Sequence, residues 1–394
     1  LGNGLRASDK SELVNIITDL SIPYLTSWTA NDILTPIENL YAGHAGTYGS
    51  RAGNIILQSC DLLITIGTRL SVPQIGYRHD EIAREADIYV IEIDSLELRK
   101  LGPRFKKINY DAFLTLKEIH NLISPSFIVK KEWLKHIKEV KECLPLIESC
   151  HLNNDKNFIN SYHFISKLGS KAKENTTFVT DMGTALISGF QILKIKDEQK
   201  LFSSQGLGEM GYGLPGAIGA WFADKTRNII CLNCDGGLMM NLQELHSVIS
   251  NNIPMKIIIF NNDGYLMIKH TQDAILKGRR AGTDTSSGLS CPDYSKLVKS
   301  LGFTYLRISN PNKMDRIISE FLENQNPIVL EVFMPKEQKL VPKSAVSISS
   351  KGGLTSLPLE DLSPLISLSE LNKLLLVNLH NNSYQAKREK YDIN

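Results

Sequence analysis

Cysteine is scarce in this chain of 394 residues: six thiols, Cys60, Cys143, Cys150, Cys231, Cys234 and Cys291, are too few to staple a protein of this size. A disulfide scaffold is excluded, and a reduced, cytoplasmic interior is expected. Cys231 and Cys234 form one C-x-x-C, but tetrahedral zinc takes four ligands and no second Cys or His pair follows at ligand spacing. Buried thiols are the better reading. Charge of one sign is also lacking. Lys plus Arg number 44 against 42 Asp plus Glu, a net charge of +2, so neither a nucleic-acid partner nor an acidic tail is expected. Apolar runs such as 54–57 and 61–66 break off long before the ~20 residues that cross a bilayer, which excludes a membrane span. Residues 1–6 read as turn chemistry rather than a secretory leader, and with Leu1 in first place the chain is expected to be cut at its front end.

What the sequence does have is length for two or three domains, at roughly 150 residues each. It also alternates strand and helix patterns, which points to an α/β protein with parallel sheets covered on both faces, in three layers. In the first third, helices are expected over 11–20, 54–59, 81–86 and 113–123, and strands over 23–26, 62–67 and 88–94. Residues 130–149 read as a Lys/Glu-rich helical connector on the surface. A second alternation places helices over 162–169, 215–222, 242–250, 294–301 and 314–323, with strands over 177–180, 229–233, 256–260 and 328–333. The expected domains are a Rossmann-like unit over 1–125, a linker over 126–155, a second α/β unit over 156–340 and an extension over 341–394. The run 344–353 is rich in Ser, Gly and Lys, and 384–394 carries charge without an apolar face, so the extension is expected to end in disorder.

The most informative stretch runs from 228 to 264. A strand ends at Asp235, Gly236-Gly237 follow at once, and a second strand runs into Asn261-Asn262-Asp263-Gly264. Two such turns meet at the carboxyl edge of a parallel sheet, where folds of this class bind ligands. An Asp carboxylate, an Asn amide oxygen and a nearby main-chain carbonyl suit a hard octahedral ion such as Mg²⁺, which takes its other ligands from phosphate and water. Glycine N–H groups at a helix start bind anions. The residues alone therefore read as a Mg²⁺-bridged diphosphate site.

This Asp-Gly … Asn-Asn element, with Met-Asn-Leu-Gln-Glu-Leu over 240–245 between its ends, resembles the fingerprint of thiamine diphosphate-dependent enzymes. The flanking residues are similar to the acetolactate synthase large-subunit group. The resemblance covers nearly the whole chain: 1–122 looks like the central domain of these enzymes, and 162–335 like their diphosphate-binding domain. It implies Mg²⁺ ligands at Asp235, Asn262 and the main-chain carbonyl of Gly264. It also implies cofactor contacts at Gly183, Thr184, Ala185, Gly208, Gly236, Gly237, Tyr265 and Leu266. Met210, in Gly208-Glu209-Met210-Gly211, matches the apolar wedge that bends the cofactor so that it can deprotonate itself. The implied reaction is decarboxylation of pyruvate or a related 2-oxoacid with transfer of the two-carbon unit to an acceptor. A simple 2-oxoacid decarboxylase, another carboligase and a catalytically silent cofactor-binding chain stay open beside it. The family's catalytic glutamate belongs to a preceding pyrimidine-binding domain that has no counterpart in this sequence, so the isolated chain is expected to be inactive. In the family the site is shared between subunits of a homodimer or homotetramer. FAD binding is left open: residues 43–49 and Asp94 could serve it, and similar domains occur without flavin.

Plainer readings stand beside these. Gly206-x-Gly208-x-x-Gly211 matches a dinucleotide fingerprint, but 200–205 makes a poor first strand and an NAD site does not account for Asn261-Asn262. Met239 and Met240 read as core packing. Asp181 could touch the cofactor or cap a turn. His44 and Tyr48, in a glycine-rich loop, face the active site or decorate a turn, the turn being the preferred reading, and His270, Thr271 and Gln272 face substrate or begin a solvated helix. Three departures from the family pattern are visible. Cys234 replaces the first glycine of the usual Gly-Asp-Gly, where a Cβ would be strained if φ were positive. Thr184-Ala185 and Thr271 stand where biosynthetic acetolactate synthases usually carry Gln-His and a tryptophan.

Overall fold

The computed structural model describes residues 1–123, 127–152, 155–348, 354–391 and 393. The chain divides into two units, Leu1–Glu148 with Val341–Asn394, and Ser149–Leu340.

The second unit is built on one six-stranded, all-parallel sheet. Its strands are β6 (Thr176–Thr180), β7 (Lys200–Phe202), β8 (Asn228–Cys234), β9 (Lys256–Asn261), β10 (Thr304–Ile308) and β11 (Ile328–Phe333), in the order β10-β11-β9-β8-β6-β7. Parallel strands in the middle of such a sheet have both faces covered and read as continuous apolar runs. Ile229–Leu232 and Ile257–Phe260 are such runs, and every one of those side chains is buried. One face packs Val179, Cys231, Ile257, Ile259 and Val329 against Leu245 and Val248 of the helix Glu244–Ser250 and Tyr294 and Val298 of the helix Tyr294–Ser300. On the helix Ser161–Lys171, Phe164 meets Phe260 edge to face, ring centres 5.8 Å apart. Each such buried side chain contributes about 1.5–3 kcal/mol. Cys234 stands opposite Phe260 in the register of β8 and β9, so the turns that follow these strands emerge side by side.

The first unit holds a parallel pair, β1 (Tyr24–Thr26) and β2 (Tyr41–His44), and a parallel three-stranded sheet of β3 (Leu62–Ile66), β4 (Asp87–Ile91) and β5 (Phe105–Ile108). Its helices include α1 (Lys10–Leu20), α2 (Arg51–Ser59), α3 (Ala112–Leu122) and α4 (Lys131–Cys143). The connector expected on the surface is amphipathic: Ile137 and Val140 of α4 are buried against Ile55 of α2 and against Ile366, Leu371 and Leu374 of the last fifty residues. Those residues also close a buried polar contact. Arg51 pairs with Glu148 at 2.9 Å and donates to the carbonyl of Leu362 at 2.7 Å, while the Tyr391 hydroxyl donates to Glu148 at 2.6 Å. The segment read as an extension thus supplies core to the first unit, and Tyr391 and Ile393 near its end are packed into that core. Residues 126, 153 and 154 of the expected linker, and 349–353 of the Ser/Gly/Lys-rich run, lie outside the described residues.

The helix expected over 81–86 is absent. Ala83 has a positive φ of 40°, and side chains rather than a helical ladder satisfy this stretch: Arg104 donates to the carbonyls of Ile82 and Ala83, and Gln58 donates to that of Glu81. Conversely, the helix Thr184–Ile192 had no visible amphipathic period, because all nine of its residues are buried.

Candidate active site

At the carboxyl end of β8, the carboxylate of Asp235 is fully buried and accepts three main-chain N–H groups. Gly236 donates to Oδ1 at 2.9 Å, and Asn262 and Gly264, in the turn after β9, donate to Oδ2 at 3.1 and 3.0 Å. One side chain therefore ties the two turns together. Burial pushes its carboxyl up to about 6 against the lowering effect of those three donors, so the main-chain donors only partly offset the cost of burying its charge. Asn262, 2 % exposed, has its amide oxygen buried without a hydrogen-bond partner. The turn is made for close approach. Gly264 has φ 132°, and a Cβ there would come within 2.1 Å of the Thr283 carbonyl. Gly236 lies under the Tyr265 ring, where a Cβ would meet it at 2.2 Å. The Tyr294 hydroxyl donates to the Asp235 carbonyl, and the buried Lys269 ammonium donates to the carbonyls of Asn262 at 3.4 Å and Lys336 at 2.9 Å. Leu266 is buried at the start of the helix Leu266–Ile275.

A second arm comes from β6. Asp181, fully buried just past the strand, accepts the Gly211 N–H at 2.8 Å through Oδ1. Its Oδ2 has no partner, and Gly237 runs so close to it that a Cβ would meet it at 2.2 Å. Asn241 grips the same loop by donating to the Gly211 carbonyl at 2.6 Å. Met210, half-buried, and Gly208, with φ 73°, lie in this loop. Through Oδ1, Asp181 caps the turn at Gly211.

Cys234 answers the question its sequence position raised. Its φ is −113°, extended backbone that any residue adopts, so no strain follows from the Cβ. Its Sγ accepts the Ala185 N–H at 3.3 Å, at the start of the helix Thr184–Ile192, beside Gly183 with φ 89°. Burial pushes this thiol well above the ordinary range, which keeps it protonated. Thr184 Oγ1, Thr180 Oγ1 and Asn233 Nδ2 are also buried without partners. Together with Asp181 Oδ2 and Asn262 Oδ1 they form a set of unsatisfied polar atoms at the carboxyl ends of β6, β8 and β9. Native folds keep such atoms paired, so their concentration at one sheet edge fits a polar ligand.

Among the described residues, no three His, Cys, Asp or Glu side chains converge as a metal cluster. A cation here would draw on one carboxylate, one amide and main chain, a hard all-oxygen set.

Other sequence candidates fall differently. Met240 is 47 % exposed rather than core. Gln272 clamps a loop, exchanging hydrogen bonds with both main-chain groups of Ala281. Thr271 back-bonds to the Met267 carbonyl at 3.1 Å. His44, in the first unit, is no turn decoration: it is buried at the end of β2, and burial pushes its imidazole down to about 4. Sequence reading missed the Cys234 contact and the arms from Asn241 and Tyr294. Their signal would have been polar residues beside glycines at strand ends.

Comparison with known proteins agrees with this geometry. Residues 181–332 match the model for the thiamine pyrophosphate enzyme C-terminal TPP binding domain, and residues 1–119 that for the thiamine pyrophosphate enzyme central domain. The chain is 30% identical over 350 residues to the acetolactate synthase large subunit of Pyropia yezoensis, covering 88% of this chain and 58% of that one. It is 30% identical over 350 residues to a probable acetolactate synthase large subunit of Methanocaldococcus jannaschii, covering 86% and 57%. With the acetolactate synthase isozyme 1 large subunit of Escherichia coli the identity is 26% over 321 residues, covering 82% and 55%. The chain thus spans a little over half the length of these relatives. No helix among the described residues is long and apolar enough to cross a membrane.

Proposed function

Since this chain belongs to the thiamine pyrophosphate enzymes, through both their central and their C-terminal domain, we propose that its second unit holds Mg²⁺ and the diphosphate of thiamine diphosphate. The protein would then act on pyruvate or a related 2-oxoacid in the manner of acetolactate synthases. One observation carries this reading: Asp235 grips the turn of Asn262 and Gly264 while the Asn262 amide oxygen, buried beside it, has no partner.

In this reading Asp235, Asn262 Oδ1 and the Gly264 carbonyl hold the cation, whose charge offsets the cost of keeping Asp235 ionised in a buried place. Gly236 and Gly237 offer main-chain N–H groups to the diphosphate, and their lack of a Cβ leaves room for close approach. Gly183, Thr184 and Ala185 border the same edge, with the Thr184 hydroxyl free to turn toward a phosphate oxygen. The Ala185 N–H is already engaged by Cys234 and contributes less. Met210 packs an apolar surface against the cofactor, in a loop whose position Asp181 and Asn241 fix. Bound thiamine diphosphate supplies the electron sink for decarboxylation. Leu207, 87 % exposed in the same loop as Met210, supports a site that a second subunit covers.

The test is turnover by the full-length protein. With thiamine diphosphate and Mg²⁺, CO₂ is released from at least one member of a 2-oxoacid panel, and mass spectrometry with labelled pyruvate separates carboligation from simple decarboxylation. No CO₂ from any member sinks the proposed activity.

A further inference from the structure

We infer that Lys269 is a positioning residue for the cation site: its buried ammonium ties the turn 262–264 toward β11, as Asp235 ties it toward β8, and so fixes where the Asn262 amide oxygen and the Gly264 carbonyl point. The inference rests on the Mg²⁺ and diphosphate reading above.

Lysine is almost never fully buried without a partner of opposite charge. Lys269 is fully buried, yet its ammonium donates to two neutral groups, the main-chain carbonyls of Asn262 at 3.4 Å and Lys336 at 2.9 Å. Burying an ammonium on carbonyls alone is costly. Packing by itself would favour methionine, which fills a similar volume with no charge to desolvate, so the effect of the ammonium lies in what its donors hold. Its place in the sequence sets their reach. Lys269 is the fourth residue of the helix Leu266–Ile275, which begins directly after Tyr265. Side chains on a helix lean toward its N-terminus, so a long one at this position returns to the turn from which the helix emerges.

Asn262 is thereby held at both ends of its main chain: its N–H donates to Asp235 Oδ2 at 3.1 Å, and its carbonyl accepts from Lys269. In the sheet β9 lies between β8 and β11. Asp235 follows β8 and Lys336 follows β11, so the two ties act on the turn from its two sides. The turn needs them. Asp263 has φ 60° and Gly264 φ 132°, and a non-glycine residue in the left-handed region persists where its surroundings over-determine it. Side chains brace the same stretch: Asn261 accepts the Asp263 N–H at 3.1 Å and donates to Glu331, and the Lys336 ammonium donates to the Asp263 carboxylate. With the main chain fixed, the Asn262 Oδ1, buried without a partner, keeps one place. Mg²⁺ demands near-octahedral ligands at about 2.0–2.1 Å, whereas Ca²⁺ accepts a looser set at about 2.3–2.6 Å. A frame tightened by Lys269 therefore matters more for the smaller ion.

The experiment compares the parent chain with Lys269→Met, which keeps the stem and removes the ammonium, and with Lys269→Gln, which keeps a neutral donor and replaces the methionine variant if that one does not fold. Without ligand, hydrogen exchange is read at the Asn262 and Gly264 amides and at Ile258, in the middle of β9. In Lys269→Met the two turn amides exchange about tenfold faster relative to Ile258, and in Lys269→Gln the change is smaller and of the same sign. Calorimetry in the presence of thiamine diphosphate then gives the affinities for Mg²⁺ and Ca²⁺. Lys269→Met loses about tenfold for Mg²⁺ and less for Ca²⁺. A packing role alone speeds Ile258 as much as the turn and leaves the ratio of the two ions unchanged, and either result overturns the inference. A parent chain that binds neither ion fails the cofactor reading instead, which the exchange data, taken without ligand, tell apart from a failure of the clamp.

Discussion

The carboxylate of Asp235 accepts the main-chain N–H of Asn262 at 3.1 Å across 27 residues of sequence. The strand, turn and helix between them serve to bring these two residues together, because β8 and β9 are neighbours in register. The same carboxylate also holds Gly264, so the candidate metal ligands form a preset frame rather than three independent side chains.

Asp181 acts on the site through the loop it caps. Asp181→Ala removes the acceptor for Gly211 and leaves that N–H buried and unpaired, at a cost of about 1–3 kcal/mol. Exchange at the Gly211 amide is expected to quicken by at least tenfold and proteolysis within 204–212 to rise, while Asp181→Asn, which keeps an oxygen in place, shows a smaller change. Unaltered exchange in Asp181→Ala would show that Asn241 holds the loop alone.

Cys234 separates this chain from the usual Gly-Asp-Gly pattern, and its extended φ predicts the outcome of restoring it. Cys234→Gly gains nothing from strain relief. It loses the Sγ contact to Ala185, leaves a small void and adds backbone freedom to the unfolded chain, so it destabilises by about 1–2 kcal/mol. Urea unfolding measures this. A stabilised variant would mean that the thiol strains the turn after all.

His44 gives the first unit a pH dependence. Its imidazole sits at about 4 in the fold against an ordinary 6.5, because burial disfavours the charged form. Between these values the unfolded chain binds a proton that the folded chain does not. Stability from this group is therefore full above pH 6.5 and is lost as pH falls toward 4, by about 3 kcal/mol in total. Denaturant midpoints between pH 7 and 4 are expected to fall less steeply in His44→Leu than in the parent chain. Parallel profiles would contradict the assignment.

How much of this was legible in the sequence depended on the kind of signal. Apolar runs such as 256–260 and 328–333 announced the central strands because parallel strands are buried on both faces. The Asp235 and Asn262 pair was legible because glycines and amides at strand ends have few other uses. The helix Thr184–Ile192 was hidden because complete burial erases amphipathic period, and β5 and β10, charged strands at sheet edges, lack the apolar run altogether. The false helix over 81–86 has periodic composition, but Arg104 and Gln58, distant in sequence, take over its main-chain groups. Met240 read as core from its type alone. Cys234 showed its identity in sequence but not its φ, and only φ decides whether a side chain there is strained.

The most direct test of the proposed site is a calorimetric titration of the chain with Mg²⁺ and thiamine diphosphate. Binding is expected to be saturable and to require Mg²⁺. In Asp235→Ala it weakens about a hundredfold or more, as expected for loss of a charged metal ligand. Asp235→Asn, which keeps an oxygen for the Asn262 and Gly264 amides but not the charge, is expected to bind weakly as well, with its far-ultraviolet circular dichroism unchanged. Binding of equal strength in the parent and both variants, or binding indifferent to Mg²⁺, would contradict the account.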